Sequence, residues 1–201
     1  MEPSIAVVVA ALGALAKGTN LVGTVTSVLG WTNFYPFGER NWQFYLHWGL
    51  EPVHNVALLY VAYAGWNSLG APLWVQAVAA VVFLVSFPAA LVAGSDLGTE
   101  ETSGLEGELR TGGWYRYSRN PQYTCYIVAT VAFAVLAATP LAIALCGIAL
   151  VTWVALPFAE EPWLREQYGE AYERYAERVP RFVGVASVRA LLDRGAASGA
   201  D

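Results

Sequence analysis

Two polar stretches carry the residues best suited to chemistry. Residues 113–126 read GWYRYSRNPQYTCY and residues 160–181 read EEPWLREQYGEAYERYAERVPR, with an apolar hairpin between them that turns near Thr139-Pro140. In the first stretch, Arg119 offers a planar fork of donors that suits a carboxylate, and Tyr115 and Tyr123 offer faces for a planar ring or a cation. In the second, Glu160 and Glu161 can accept from an ammonium or a hydroxyl, and Tyr172 adds a further face. Plainer readings stand beside these. An arginine at a span end anchors at headgroups, paired glutamates complement a helix dipole, and a tyrosine stripe packs a helix. The hairpin nevertheless returns both stretches to one side of a membrane, where they can share a site.

A second group, His47, Glu51 and His54, is spaced i, i+4, i+7 and shares one helix face. Ionisable residues inside a span are functional candidates by default. Three readings stay open. The group lines an acceptor pocket in which His47 or Glu51 is the base for a protonated nucleophile; or Glu51 pairs with Lys17; or His47 and His54 hold a metal or haem in a membrane redox protein. Two histidines and one glutamate on a single helix are an incomplete ligand set, so no metal site is assigned.

The elements that must position these groups follow from composition. Of 201 residues, 56% are hydrophobic and 13% charged, against about 25% charged in soluble domains, so the chain reads as an integral membrane protein. The net charge of −5 argues against a nucleic-acid partner, which needs a basic patch. Spans are expected at 5–29, 42–64, 72–93, 122–138 and 141–158, each near the ~20 residues a bilayer requires. The fold expected is therefore all-α, an integral membrane bundle of five transmembrane helices forming one domain over residues 1–201.

An amphipathic cytoplasmic helix is expected at 160–179, with Leu164, Tyr168, Tyr172, Tyr175 and Val179 as its stripe and Glu161–Arg165 and Glu170–Arg174 as pairs four apart. Pro162 suits its first turn and Pro180 stops it; the tail ending AASGAD is expected to fray. Ala14-Leu15-Ala16 resembles a signal cleavage site, but Met1-Glu2-Pro3 carries no positive charge and the apolar run continues, so the first span is expected to be retained. Lys17 near mid-span costs roughly 2.5–3.5 kcal/mol unless it finds a partner in the bundle or reaches water at a break near Gly18. Cys125 and Cys146 differ in depth by roughly 12 Å along the hairpin, too far for a disulfide.

Apart from Lys17, the positive charges are Arg40, Arg110, Arg116, Arg119 and the six arginines from Arg165 to Arg194. With the N-terminus outside, five spans put all of these arginines in the cytoplasm, as the positive-inside rule requires. Both polar stretches then face the cytoplasm. There is no G-x-G-x-x-G, phosphate-binding loop or nucleophile elbow of a soluble nucleotide-binding enzyme.

Residues 110–182 resemble the isoprenylcysteine carboxyl methyltransferase and phospholipid methyltransferase superfamily of integral membrane enzymes. Its first motif, R-H-P-x-Y-x-G, is met by Arg119, Asn120, Pro121, Tyr123 and Cys125, preceded by Gly113 and Tyr115. Its second, E-E-x-x-L-x-x-x-F-G-x-x-Y-x-x-Y ending in V-P-R, is met by Glu160, Glu161, Leu164, Tyr168, Gly169, Tyr172, Tyr175, Val179, Pro180 and Arg181. The resemblance implies a cofactor-binding module at 110–182 that takes S-adenosylmethionine. Tyr115, Arg119, Asn120, Pro121, Tyr123, Glu160, Glu161 and Tyr172 are then the cofactor residues, and Arg181 a catalytic candidate beside His47 and Glu51. The acceptor implied is lipophilic or small: a prenylcysteine-like carboxylate, a phospholipid amine, a thiol or an isoprenoid lipid. Asn120, Cys125 and Tyr168 replace the superfamily's His, Gly and Phe. Asn120 keeps a hydrogen-bonding group and loses a titratable one, which leaves a non-catalytic membrane scaffold as a rival.

Overall fold

The computed structural model describes residues 3–184 and Ser187; Met1, Glu2, Arg189, Arg194 and the AASGAD tail lie outside the described residues. The described residues are all-α: α1 (Pro3–Val28), α2 (Trp42–Ala64), α3 (Leu73–Leu97), α4 (Thr99–Thr102), α5 (Pro121–Ala137), α6 (Pro140–Tyr168) and α7 (Glu170–Arg178), with a 3-10 turn at Gly113–Arg116. Residues Ile5–Val28 of α1, together with α3 and α6, are long and apolar enough to cross a membrane, and α5 is a shorter apolar helix. Leu15, Val56 and Leu84 expose most of their surface from three different helices. In an integral membrane protein such side chains meet lipid, which solvates them as well as a protein core would.

α1 packs on α2 and α6, α5 on α3 and α6, whereas α2 and α3, though joined by a short turn, pack little against each other. The tightest contact is made of small side chains, Ala10, Ala57, Ala62, Ala137 and Ala142, around Val61 and Leu145, which lets backbones approach closely. At one end of the bundle, Asn67 N–H donates to the Ala137 carbonyl at 2.9 Å and Leu69 N–H to Ala138 at 3.0 Å. At the other, Phe37 N–H donates to Gly104 at 2.9 Å, and Arg119 N–H to Pro180 at 2.8 Å. The two polar stretches therefore meet at the end opposite the 138–140 turn.

Buried charge is resolved inside the bundle. Lys17 Nζ reaches both Glu51 oxygens, at 2.8 and 2.9 Å, and Asn20 Nδ2 donates to Glu51 Oε1 at 3.0 Å. α1 continues unbroken through Gly18 and Lys17 is 1% exposed, so the reading in which Lys17 reaches water at a break fails. The alternative partner, Glu51, is the one found.

α2 spans the expected residues 42–64, and the hairpin turns at Ala138, which is left-handed (φ 43°). The expected separate helix at 160–179 is corrected. α6 runs ten residues past 158 to Tyr168, with Pro157 and Pro162 in its interior, and the chain breaks at Gly169 (φ 53°) before α7. Proline removes one backbone donor from a helix; Pro157 is buried in the bundle and Pro162 is exposed, and α6 runs through both. Leu164 and Tyr168 thus sit on α6, and Tyr172 and Tyr175 on α7. Both cysteines are free thiols.

Candidate active site

The two motifs are laced together by backbone-directed bonds. Ser118 Oγ and Asn120 Nδ2 both donate to the Arg181 carbonyl, at 3.1 and 3.0 Å. Asn120 also caps α5 in position, with Pro121 as the first helical residue, where its missing N–H costs nothing. The amide that replaces the superfamily's histidine is therefore a structural tie between motifs.

Glu161, 4% exposed, is the hub of the charged part of the site. Arg181 binds it as a fork, Nε to Oε1 at 2.6 Å and Nη2 to Oε2 at 2.8 Å. Arg119 Nη1 lies 3.0 Å from Oε1, and Arg165 Nη1 3.7 Å from Oε2. Arg165 pairs more closely with Glu173, its Nε 2.9 Å from Oε1, so Glu161 is shared mainly by Arg119 and Arg181, two guanidiniums on one carboxylate. Arg119 Nη1 also donates to the Tyr172 hydroxyl at 3.2 Å, while its buried Nε has no partner. Hydrogen bonding to Glu161 is the main cause that raises Arg181 above the ordinary arginine value.

A second carboxylate is held differently. Glu160 Oε1 lies 2.5 Å from both the Tyr35 and Tyr123 hydroxyls. Each phenol has a single proton and both are directed at this oxygen, so the 3.0 Å approach of the two hydroxyls is a contact between donors. Burial first, then the Glu160 charge, raises Tyr35 well above the ordinary phenol value, which keeps it a donor. Burial, followed by Glu160, likewise raises Tyr115.

These residues surround a cavity of about 80 Å³, the polar cavity, named for the charged, amide and phenolic groups of Tyr115, Arg119, Asn120, Tyr123, Glu160, Glu161 and Tyr172 on an otherwise mainly apolar wall. Of the cofactor residues expected from the sequence, Pro121 alone is not on its wall. Arg181 is not on the wall either and acts on it through Glu161. The unpartnered Arg119 donor, the surplus of guanidiniums and the tyrosine faces fit the carboxylate, sulfonium and adenine of S-adenosylmethionine. The volume is smaller than the roughly 300 Å³ at which ligand pockets begin, so the wall must yield on binding. Part of that wall, Glu101, Gly104, Glu108 and Arg110, belongs to the polar segment between α3 and α5.

A larger cavity, about 450 Å³, lies among α1, α2, α3, α5 and α6. His47, Glu51 and His54 all line it, as does Lys17, among mainly apolar and aromatic walls that include Phe83, Phe87, Tyr126 and Trp153. The group thus lines a cavity while Glu51 pairs with Lys17. Among the described residues no group of three or more His, Cys, Asp or Glu could hold a metal ion. Gln122 and Tyr123 line both cavities.

Sequence reasoning missed Tyr35, Gln122 and the acidic wall at Glu101 and Glu108. Tyr35 lies in the loop between α1 and α2. Its partner Glu160 is 125 positions away, and no spacing rule reaches that far. Glu101 and Glu108 lie in an acidic run between α3 and α5, whose composition alone does not say what it packs against.

No curated protein and no solved structure matches the chain. Residues 74–171 match the family model described as phospholipid methyltransferase, from α3 through the second motif. Residues 74–171 thus carry a phospholipid methyltransferase domain, and that domain makes the protein an integral membrane methyltransferase that uses S-adenosylmethionine.

Proposed function

We propose that the polar cavity holds S-adenosylmethionine and the larger cavity the reacting end of a phospholipid-type acceptor, with Gln122 and Tyr123 as the wall between them. The observation that carries this reading is that shared wall, since methyl transfer is an in-line displacement requiring donor and acceptor to meet across a short gap. When bound, the cofactor supplies an electrophilic methyl group on a sulfonium. Arg119 binds the cofactor carboxylate, held at the right attitude by Glu161 and Tyr172. Arg181 and Arg165 neutralise Glu161, so that its charge does not repel that carboxylate. Glu160 accepts from the cofactor's ammonium or ribose through its free oxygen, while Tyr35 and Tyr123 fix the other.

On the acceptor side, Glu51 is engaged by Lys17 and Asn20. His47 Nδ1 is buried without a partner, and its ring stacks on Tyr35 at 5.9 Å between centroids. His47 is thus the base for an acceptor that arrives protonated, and Glu51 sets the position of Lys17. The apolar walls exclude water, which strengthens every polar contact at the reacting centre.

We further propose that α1, α2, α3, α5 and the apolar part of α6 are five spans, with the N-terminus outside and the cofactor side cytoplasmic. Arg40, Arg110, Arg116, Arg119, Arg165, Arg174, Arg178 and Arg181 belong to loops and helix ends on one side of the bundle, while the 65–71 and 138–140 turns carry none. The gap between α2 and α3 gives a lipid a way in from the bilayer. The test is transfer of labelled methyl from S-adenosylmethionine to phosphatidylethanolamine in proteoliposomes. Label in the lipid phase that Arg119→Ala abolishes supports the reading; label that enters only water-soluble acceptors overturns it.

A further inference from the structure

His54 is 1% exposed and lines the larger cavity. Its Nδ1 lies 3.2 Å from the Gly13 carbonyl of α1. A carbonyl oxygen only accepts, so Nδ1 carries the proton, and Nε2 of the neutral ring is left as a bare lone pair. That Nε2 is buried and has no partner. A buried acceptor of this kind costs stability unless something donates to it, and His54 stands on the wall of the cavity.

His54 is also in the wrong place to serve the reacting atoms. His47 stacks on Tyr35, whose hydroxyl meets Glu160 and Tyr123 at the shared wall. His54 lies seven residues further along α2, two turns or about 10 Å deeper. Between the two histidines stand the neutralised Lys17–Glu51 pair and the face of Trp153, 4.3 Å from Lys17 Nζ. The cavity thus has a reacting end and, two turns below, a buried hydrogen-bond acceptor that has no partner in the protein.

We infer that His54 Nε2 selects acceptors carrying a hydrogen-bond donor, a hydroxyl or an amide N–H, about 10 Å from the atom that is methylated. This rests on the proposed placement of the acceptor in the larger cavity. It narrows the lipid class. Two turns of helix is the depth at which a lipid with an ethanolamine nitrogen at the shared wall presents the first carbons of its backbone. In a diacylglycerol lipid those carbons bear ester oxygens, which can only accept. In a sphingoid lipid they bear a hydroxyl and an amide N–H, which can donate. The preferred acceptor is therefore a lipid with a donor-bearing backbone.

The test compares ceramide phosphoethanolamine with diacyl phosphatidylethanolamine, which share a headgroup and differ in that donor. Binding of each to detergent-purified protein is read from the fluorescence of Trp48 and Trp153, which line the cavity, and KM from methyl transfer. Wild type is expected to prefer the ceramide lipid by tenfold or more in both. His54→Leu erases the preference, and His54→Gln, which keeps an acceptor near the Nε2 position, retains most of it. S-adenosylmethionine binding, which His54 does not touch, stays unchanged in both variants and reports that they fold. Equal affinity of wild type for the two lipids, or a preference that persists in His54→Leu, overturns the inference. If His54→Leu does not fold, the wild-type preference and its retention in His54→Gln decide. Absence of any lipid-induced fluorescence change alongside intact cofactor binding contradicts instead the placement of the acceptor in this cavity.

Discussion

The Tyr123 hydroxyl donates to Glu160 Oε1 at 2.5 Å from a side chain that lines both cavities. A carboxylate on the cofactor side is thereby fixed by a residue that also faces the acceptor. The proposed catalytic geometry depends on this contact, because a displacement reaction is sensitive to sub-ångström changes in approach.

Tyr123→Phe should lower kcat for methyl transfer by about tenfold, the effect of losing one hydrogen bond of about 1–1.5 kcal/mol. The dissociation constant of S-adenosylmethionine should change much less. Tyr35→Phe should act in the same direction, and the double variant should fall short of the product of the two, since both hydroxyls serve one oxygen. Steady-state kinetics with calorimetric binding separates the effects.

The Lys17–Glu51 pair is buried and bidentate. Lys17→Met should destabilise the protein by about 3–5 kcal/mol, since it leaves Glu51 as an unpaired buried charge. Lys17→Met combined with Glu51→Leu should recover most of that loss. Thermal unfolding in detergent, followed by circular dichroism, checks the sign of the recovery.

Ala149 is 4% exposed and lines the larger cavity alone of the two. Ala149→Phe should fill part of that space, raising KM for the lipid by tenfold or more while leaving S-adenosylmethionine affinity intact. Equal loss of both affinities would mean that the bundle had been distorted rather than the acceptor excluded.

The polar cavity must widen to take a nucleoside-sized ligand. Amide exchange in residues 98–112 should therefore change on cofactor binding, while the α5–α6 hairpin stays as protected as before. Hydrogen-exchange mass spectrometry with and without S-adenosylmethionine measures this directly.

Much of this arrangement was legible in the sequence because bilayer thickness and motif order are strong constraints. The bounds of α2, the turn before Pro140 and the convergence of Arg119, Glu161 and Tyr172 follow from hydropathy and from two motifs separated by a hairpin. The end of α6 did not follow. Pro162 in a polar sequence looks like a helix start, whereas α6 runs on from the apolar span through it to Tyr168. The division of labour between Glu160 and Glu161 was also hidden. The residues are adjacent and identical, and their roles diverge because a helix turns them about 100° apart, one toward Tyr35 and Tyr123, the other toward the arginines. The distinction between His47 and His54 likewise required the Gly13 carbonyl, which no side-chain pattern reveals.

The most direct test of the central claim is calorimetric titration of S-adenosylmethionine into detergent-purified protein, wild type against Glu161→Ala. Glu161 gathers Arg119, Arg181 and Arg165 at the polar cavity, so its loss should scatter them. Saturable wild-type binding that the substitution weakens by tenfold or more, about 1.4 kcal/mol, is the predicted result. Unchanged affinity in a folded Glu161→Ala protein would contradict the assignment of this cavity as the cofactor site.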